Sequence, residues 1–307
     1  MMTNSPSFRE KQFEPLRRDG RIVNAMTVDV EDYFQAQALA AAFERSTWDR
    51  QQYRVERNTD LILDLFAEAQ VHATFFLLGW VAERHKALVH RIVAAGHELA
   101  SHGYDHRRAD EQTPEEFRHD VRRSKRLIED IGGVAVAGYR APTFSINHQN
   151  MWAFDILADE GYSYSSSISP IRYKYYGMPT SPRFAFYPQA DGSLEEYPIT
   201  TARIGTRNLP CGGGGFFRLL PYTLIRAGFN RVNRVDRRAG IFYIHPWEVD
   251  PDQPRARGVS FKSRFRHYLN LDKTQGRLRR LVHDLAWDRV DRVFVPGAAR
   301  EGASSWE

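Results

Sequence analysis

Hydrophobic residues follow two alternating patterns along the first half of the chain. Largely continuous apolar runs predict buried strands at 22–29, 72–79, 97–101 and 134–142. Apolar residues at helical spacing predict helices between them, at 58–69, 81–96, 113–133 and 150–162. Strands and helices that alternate in this order indicate a parallel sheet with helices outside it, either a barrel or an open sheet.

Two of the predicted helices carry boundary signals. Asn58 or Thr59 is expected to cap the first of them. In the helix at 113–133, Thr113 and Glu116 have the spacing of a capping box, and Gly133 marks the end. These signals predict both ends of the helix at 113–133.

The second half of the chain is harder to interpret from its pattern. The stretch 165–235 is rich in proline, glycine and aromatic residues, which predicts loops and extra strands. A buried strand returns at 241–244. We therefore divide the 307 residues into a flexible segment at 1–21, a single catalytic domain at 22–295 and a tail at 296–307.

Composition is that of an ordinary globular protein, with 42% hydrophobic and 26% charged residues. No apolar run approaches the ~20 residues that cross a membrane, and the polar segment 1–21 does not have the pattern of a secretory signal. Cys211 is the only cysteine, which excludes an intrachain disulfide and fits a reducing compartment. The net charge of +5 and the basic residues near the C-terminus favour a solvated face over a patch for an anionic polymer or a membrane.

Reactive side chains follow four of the predicted strands, where the chemistry of parallel α/β folds gathers. They are Asp29, Glu31 and Asp32 at the end of the first strand, His102 and His106 at the end of the third, Arg140 and Pro142 at the end of the fourth, and His245 with Trp247 and Glu248 at the end of the strand at 241–244. Three carboxylates within four positions repel one another unless they are paired or bind a cation. We expect these side chains to meet at one edge of the sheet.

The spacing H-x-x-x-H would place the imidazoles of His102 and His106 on one face of a helical turn. Two histidines and one carboxylate, with positions left for water, are typical of a catalytic metal site. A second carboxylate could then act as a base, Arg140 could hold it ionised, and His245 could act as an acid. A surface arginine and a buried structural histidine are the alternatives for Arg140 and His245.

Lone histidines are more often structural than functional, and we set aside eight of them on that ground: His72, His85, His90, His97, His119, His148, His267 and His283.

Four short motifs together resemble a known family. "TVDVED", "SHGYDH", "GYRAP" and "IFYIHPWE" are similar, in order, to the motifs of the polysaccharide deacetylases of carbohydrate esterase family 4. Within the family, the chain resembles the subgroup associated with PEP-CTERM/exosortase exopolysaccharide loci, including its C-terminal part at about 240–295. The resemblance implies a distorted (β/α) barrel of the NodB-homology type.

The resemblance also implies a metal-dependent hydrolase that removes N-acetyl groups from amino sugars. It implies that Asp29 is the base, that Arg140 positions it, that His245 is the acid, and that one divalent metal binds His102, His106 and either Glu31 or Asp32. Zn²⁺ is the first candidate, with Co²⁺ or Ni²⁺ as alternatives.

Two departures from the family pattern matter. The first motif reads D-V-E-D rather than two adjacent aspartates, a spacing that also resembles cyclic-imide-hydrolysing relatives. Ser165 stands where the subgroup usually has an aspartate that tunes the acid histidine. A cyclic amide or imide hydrolase and a catalytically silent sugar-binding module therefore remain alternatives.

The expected substrate is a polysaccharide or a lipid-linked oligosaccharide, with no nucleic acid involved. We expect sugar contacts from aromatic residues and from the glycine run at 212–215. The residues named for this role are Tyr33, Phe34, Tyr104, Pro142, Phe144, Gly213, Gly214 and Trp247. The expected location is the cytoplasm or the cytoplasmic face of the membrane, although a polysaccharide substrate would also fit the periplasm.

Overall fold

The computed structural model describes residues 8–173 and 176–294. Its strands, in chain order, are β1 (Arg9–Glu10), β2 (Arg17–Arg18), β3 (Arg21–Val30), β4 (Thr74–Leu77), β5 (Glu98–Ser101), β6 (Gly138–Tyr139), β7 (Tyr164–Ser165), β8 (Phe186–Tyr187), β9 (Glu195–Glu196), β10 (Thr201–Ile204), β11 (Arg207–Pro210), β12 (Ile241–Ile244) and β13 (Ala286–Asp288).

The α-helices of the described residues are α1 (Val55–Glu68), α2 (Gly79–Arg84), α3 (Lys86–Ala94), α4 (Pro114–Gly132), α5 (Trp152–Asp159), α6 (Gly214–Leu219), α7 (Tyr222–Arg231), α8 (Phe261–Tyr268), α9 (Leu271–Asp284) and α10 (Val290–Phe294). Short helical turns lie at Tyr33–Gln35, Gln37–Leu39, Arg45–Arg50, Ala109–Glu111, Pro142–Phe144, Val232–Asp236 and Pro246–Val249. None of the helices described is long and apolar enough to cross a membrane.

One sheet, which curls as a half-barrel, holds most of the strands. Its order is β1–β8–β9–β7–β6–β5–β4–β3–β12, with β2 and β13 also paired to β3. Neighbours from β12 to β9 run parallel, whereas β8 and β1 are antiparallel additions at one end. Because the parallel strands share one direction, their carboxyl ends meet at one edge. The prediction of a distorted (β/α) barrel is confirmed. The barrel is open, because the described strands at its two ends, β1 and β12, do not pair with each other.

Strand β3 shows how the sheet positions functional groups. All its residues from Ile22 to Val30 are buried, because the sheet is covered on both faces. Side chains alternate between the faces: Met26, Val28 and Val30 pack in the large core, whereas Val23 and Ala25 pack in a smaller one. Thr27 and Asp29 continue the second row, so both point to the face that carries the smaller core.

The N-terminal segment contributes two short edge strands where the structure describes it. Residues Arg9–Glu10 pair with β8, and Arg17–Arg18 pair with the start of β3. The structure thus gives residues 8–21 two short strands that the pattern did not predict, and residues 1–7 lie outside the described part of the chain. The polar composition concealed these short edge strands because charged side chains are common at edges. The predicted tail at 296–307 also lies outside the described residues.

Several element boundaries differ from the prediction. The helix at 81–96 is two helices, α2 and α3, separated at His85, whose backbone is non-helical. Helix α1 begins at Val55, so neither Asn58 nor Thr59 caps it. The capping box at Thr113 and the left-handed Gly133 after α4 are confirmed.

Candidate active site

A cavity of about 180 Å³ lies at the carboxyl edge of the parallel strands. Its lining includes five of the predicted site residues: Asp29, Glu31, His102, His106 and His245. Asp29 lies near the end of β3, and the segments that follow β3, β5 and β12 supply the other four. The structure therefore places residues from three separate motifs around one space, as expected for parallel strand ends.

Asp29 and Arg140 form a buried ion pair beside the cavity. Arg140 is fully buried, and its Nη1 donates to Asp29 Oδ1 at 2.6 Å and to Thr27 Oγ1 at 2.8 Å. On its other side Nη2 donates to Ser166 Oγ and Nε donates to the Ser166 carbonyl oxygen. This network fixes Asp29 by one oxygen and leaves Oδ2 facing His245 Nε2 at 3.9 Å. Arg140 is thus not the surface arginine of the alternative interpretation.

His102 and His106 approach each other without a helical turn. Residues 102–106 form a bent loop in which His106 has a φ of 57°, and the two ring centroids are 5.4 Å apart. His102 Nδ1 lies 2.8 Å from the Arg140 carbonyl oxygen, which can only accept, so Nδ1 carries the proton and Nε2 keeps a lone pair. Burial lowers the pKa of His102 to about 4 and that of His106 well below its ordinary value. Both rings are therefore neutral, as metal ligands must be.

Glu31 lies between two of the histidines. Its Oε1 is 3.0 Å from His245 Nε2, and its Oε2 is 3.4 Å from His106 Nε2. Oε2 is buried and has no hydrogen-bond partner among the described residues. Burial raises the pKa of Glu31 well above its ordinary value, and the nearby Asp29 raises it further. A positive charge at this place would satisfy the orphaned oxygen and offset the cost of burying the carboxylate.

Glu31, His102 and His106 therefore fit the donor set of a borderline divalent metal: one oxygen and two imidazole nitrogens. Within residues 8–173 and 176–294, no three His, Cys, Asp or Glu side chains lie close enough together to hold a metal ion as they stand. A bound ion would have to draw them together.

Asp32 is not part of this group. Its Oδ1 accepts from the Tyr33 backbone N–H, and its Oδ2 accepts from the backbone N–H groups of Arg54 and Val55. The side chain thus caps the turn at Tyr33–Gln35 and the start of α1, and it does not line the cavity. Of the two carboxylates left open by the sequence, only Glu31 lies beside the histidines.

Substitutions at these two positions should separate binding from stability. We expect Asp32→Ala to lower the free energy of unfolding by about 1–3 kcal/mol, because three backbone donors lose their acceptor, while zinc affinity stays near that of the wild type. Glu31→Gln should instead weaken zinc binding at least tenfold. Chemical denaturation and titration with Zn²⁺ measure the two effects. Weaker zinc binding by Asp32→Ala with Glu31→Gln unaffected would reverse the assignment.

His245 is held by a carboxylate that the sequence analysis named without a role. Its Nδ1 contacts Oε1 of the fully buried Glu248, and Oε2 of Glu248 accepts from Arg218 Nε at 3.1 Å. Arg218 is in turn fixed through its Nη1 by the carbonyl oxygens of Arg266, His267 and Leu269. The three-residue spacing between His245 and Glu248 across a turn could have predicted this contact. Nothing in the sequence indicates the role of Arg218.

The electrostatics favour the protonated form of His245. Burial alone would lower the pKa of His245, but the three carboxylates of Glu31, Glu248 and Asp29 raise it above its ordinary value. Burial would likewise raise the pKa of Glu248, but Arg218 and His245 keep it lowered. His245 can therefore hold a proton in the cavity.

Ser165 does not reach this histidine: its hydroxyl donates to Ser167 Oγ, while Glu196 accepts from the backbone N–H groups of Ser167 and Ile168. The partner of His245 comes from its own turn instead. The departure at Ser165 therefore does not leave His245 without a carboxylate.

Only some of the predicted sugar contacts line the cavity. Trp247 and Phe144 do, and Trp247 stacks between His245 and His267 at centroid distances of 5.1 and 4.2 Å. His267, which we set aside, is thus part of the wall. Tyr33 and Phe34 are buried in the core, and the Tyr104 hydroxyl donates to Glu83 away from the cavity. Pro142 is buried between two lining residues and is not itself in the lining.

The glycine run packs against β12 rather than opening onto the cavity. Gly213 pairs with Tyr243, and a Cβ on Gly213 would lie 1.9 Å from the Tyr243 carbonyl oxygen. A Cβ on Gly214 would lie 2.3 Å from the Tyr243 hydroxyl, and both glycines have positive φ. Only Gly215 of this run lines the cavity. Gly213 and Gly214 therefore allow the chain to approach β12 closely, and the predicted contact of these two glycines with a ligand is wrong.

Gly213→Ala and Gly215→Ala form a matched pair. We expect Gly213→Ala to lower the melting temperature and the activity together, because its methyl group would displace β12, which leads to His245. Gly215→Ala should leave the melting temperature close to that of the wild type, since nothing lies within 4 Å of the added Cβ. Thermal denaturation compares the two, and equal melting temperatures would contradict the packing role.

Comparisons with known proteins agree with the fold. Residues 15–164 match the family model described as "Polysaccharide deacetylase", and residues 166–295 match that of a domain of unknown function, DUF3473. Residues 15–164 are therefore a polysaccharide deacetylase domain. The solved structure of a Mycobacterium smegmatis protein inferred to be a polysaccharide deacetylase shares the fold, with a TM-score of 0.55, 19% identity and coverage of 92% of this chain and 93% of that one.

Curated relatives are similar over a shorter stretch. A peptidoglycan-N-acetylglucosamine deacetylase of Bacillus cereus is 33% identical over 96 residues, which are 31% of this chain and 35% of the relative. A peptidoglycan deacetylase of Helicobacter pylori is 31% identical over 107 residues, 35% of this chain and 36% of the relative. A chitooligosaccharide deacetylase of Bradyrhizobium is 30% identical over 97 residues, 32% of this chain and 42% of the relative. The chain thus spans about a third to two fifths of the length of these relatives. Membership of the PEP-CTERM/exosortase subgroup stays a prediction.

Proposed function

We propose that the protein hydrolyses the N-acetyl group of an amino sugar in a polysaccharide or its lipid-linked precursor, within exopolysaccharide synthesis. One observation carries the proposal: Asp29 Oδ2 and His245 Nε2 face each other at 3.9 Å in a single cavity, each fixed from behind by a buried partner. Amide hydrolysis needs a base and an acid on one substrate group. The N-acetylglucosamine and chitooligosaccharide named for the relatives support the substrate class.

The residues divide the proton transfers between them. Asp29 accepts a proton from water at Oδ2, the oxygen that Arg140 leaves available, as the water oxygen bonds to the amide carbon. His245 then donates a proton to the leaving nitrogen as the carbon–nitrogen bond breaks. The products are acetate and the free amine of the sugar. Glu248 keeps His245 oriented through Nδ1, so that Nε2 points towards the substrate.

The proposal includes one divalent metal, with Zn²⁺ as the first candidate, held by His102, His106 and Glu31. Bound there, such an ion supplies Lewis acidity: it polarises the amide carbonyl and lowers the pKa of the attacking water. The neutral imidazoles and the orphaned Glu31 Oε2 are the features that fit it. Phe144 lines the cavity and would pack against the sugar, whereas both faces of Trp247 are covered by His245 and His267, so that only its ring edge would reach a ligand.

An assay of the full chain tests the proposal. Purified protein is incubated with N-acetylglucosamine oligomers and with a cyclic imide, each after chelation and after addition of Zn²⁺, and released acetate or ring opening is measured. We expect zinc-dependent release of acetate. Ring opening without acetate would favour the cyclic imide hydrolase, and binding of oligomers with neither reaction would favour the sugar-binding module.

The metal itself is tested by removing two of its expected ligands. The double variant His102→Ala/His106→Ala should retain less than a tenth of the wild-type zinc content after dialysis, because a single carboxylate binds zinc weakly. Elemental analysis gives the content, and His119→Ala/His148→Ala is a matched control with two histidines outside the site. Full occupancy in the first double variant would exclude this metal site.

A further inference from the structure

Helix α8 exposes aromatic rings beside the mouth of the cavity. The side chains of Phe261 and Phe265 are 84% and 51% exposed, although both are large and apolar, and their rings stack with centroids 6.5 Å apart. Leu219, which is 51% exposed, and Phe265 both line the cavity. Together they make an apolar face that continues into the cavity mouth, a feature that commonly marks an interaction surface.

The surroundings of this face are strongly basic. The segment 253–271 contains five arginine or lysine residues and no aspartate or glutamate. Lys262 and Arg264, which alternate with the two phenylalanines along α8, are exposed, as is Arg257. Basic side chains around exposed aromatic rings are the composition of a helix that lies in the interface of an anionic membrane.

We propose that Phe261, Phe265 and Leu219 form a docking face for a membrane surface that carries anionic lipid. The phenyl rings enter the boundary between headgroups and acyl chains, while Lys262, Arg264 and Arg257 contact lipid phosphates. The inference extends the proposed function by placing the cavity mouth at the lipid surface, where a lipid-linked substrate would be presented. Its test needs no catalysis, so it can fail or succeed independently of the proposed activity.

The chemistry of the face favours a membrane over two other occupants. A soluble acidic polymer would satisfy the basic residues but would leave phenyl rings, which have no hydrogen-bonding group, in water. A second copy of the chain would have to bring five like charges of its own against these five if the same face were used on both sides. A membrane satisfies the rings and the charges at once.

Vesicle flotation of the full chain tests the proposal. The protein is mixed with vesicles of phosphatidylcholine alone and with vesicles that also contain phosphatidylglycerol, at low and at high salt. We expect binding to the anionic vesicles that weakens as salt rises, because the charge contribution is screened. Phe261→Ser/Phe265→Ser should reduce partitioning at least tenfold, and Lys262→Gln/Arg264→Gln should reduce it severalfold and flatten the salt dependence.

A matched control lies elsewhere on the surface. Val235 is 62% exposed and has arginines at 234 and 237, so Val235→Ser removes an exposed apolar group in a basic setting away from α8. It should leave partitioning unchanged. No binding to anionic vesicles, equal binding by the double phenylalanine variant, or an equal loss with Val235→Ser would each overturn the proposal. So would binding to heparin by the wild type in the absence of any vesicle binding, which would assign the face to an acidic polymer. Melting temperatures of all variants verify folding, which these exposed positions should not disturb.

Discussion

Asp29→Asn should reduce the turnover number for deacetylation by about 10²–10⁴ without removing the metal, because an amide cannot accept the proton of the attacking water. The geometry of the site should survive, since the amide oxygen can still accept from Arg140 Nη1, as Oδ1 does in the wild type. Initial rates on an N-acetylglucosamine oligomer and zinc content by elemental analysis measure both parts. A fall of less than tenfold with zinc retained would place the base elsewhere.

This substitution should also cost stability. Arg140 is fully buried, and without the charge of Asp29 its guanidinium is left among neutral acceptors. Breaking a buried ion pair typically lowers the free energy of unfolding by about 3–5 kcal/mol. We expect a smaller decrease here, because the hydrogen bond from Arg140 is kept. Asp32→Asn is the matched control. It makes the same chemical change three residues along and outside the cavity, so the rate should stay close to that of the wild type. Its stability should fall, because the single acceptor oxygen of asparagine cannot serve both the Tyr33 N–H group and the N–H groups of Arg54 and Val55.

His245→Ala should slow amide hydrolysis by a similar factor, about 10²–10⁴, if the imidazole protonates the leaving nitrogen. An acetate ester with a good leaving group should be slowed far less, because such a group departs without a proton. Parallel rates on an N-acetylated sugar and on an aryl acetate decide the matter. If both rates fall by the same factor, His245 has another role, such as orienting the substrate.

The pH profile gives a second test of the same residue. The acid form of His245 is lost as pH rises through its pKa, so the rate should fall on the basic side of a bell-shaped profile. The surrounding carboxylates raise that pKa and extend activity towards higher pH. Glu248→Gln removes one of them and should shift the basic limb to lower pH, whereas Glu248→Asp keeps the charge and should shift it less. An unchanged limb in Glu248→Gln would separate Glu248 from the acid.

The meeting of Asp29, His102, His106 and His245 could be predicted because parallel strands end at one edge of a sheet, so reactive residues distant in sequence become neighbours. The alternation of side chains along β3 likewise accounts for Thr27 and Asp29 sharing Arg140. These placements follow from element type and direction, which the hydrophobic pattern gives directly.

The roles of Asp32 and Glu248 could not be predicted in this way. Asp32 serves the backbone at Arg54 and Val55, 22 and 23 residues further along, and this depends on how a loop folds back. Glu248 depends on Arg218, which lies 30 residues earlier on a different helix. In both cases the role of the carboxylate depends on partners that come close only through tertiary packing, and no local sequence pattern encodes that packing. His85, where the predicted helix is divided, likewise contacts a residue distant in sequence, since its ring lies against Glu56 of α1.

Two family models divide the chain into two halves, but the proposed active site needs residues from both of them. Asp29, Arg140 and the paired histidines come from residues 15–164, whereas His245, Glu248 and Arg218 come from residues 166–295. Strand β12 of the second half also lies directly against β3 of the first. If either half were exchanged between relatives, the base of one parent would have to work with the acid of another across a foreign β3–β12 contact. We therefore expect the two halves to be inherited together. We also expect chimeras to be inactive unless β3 and β12 come from the same parent.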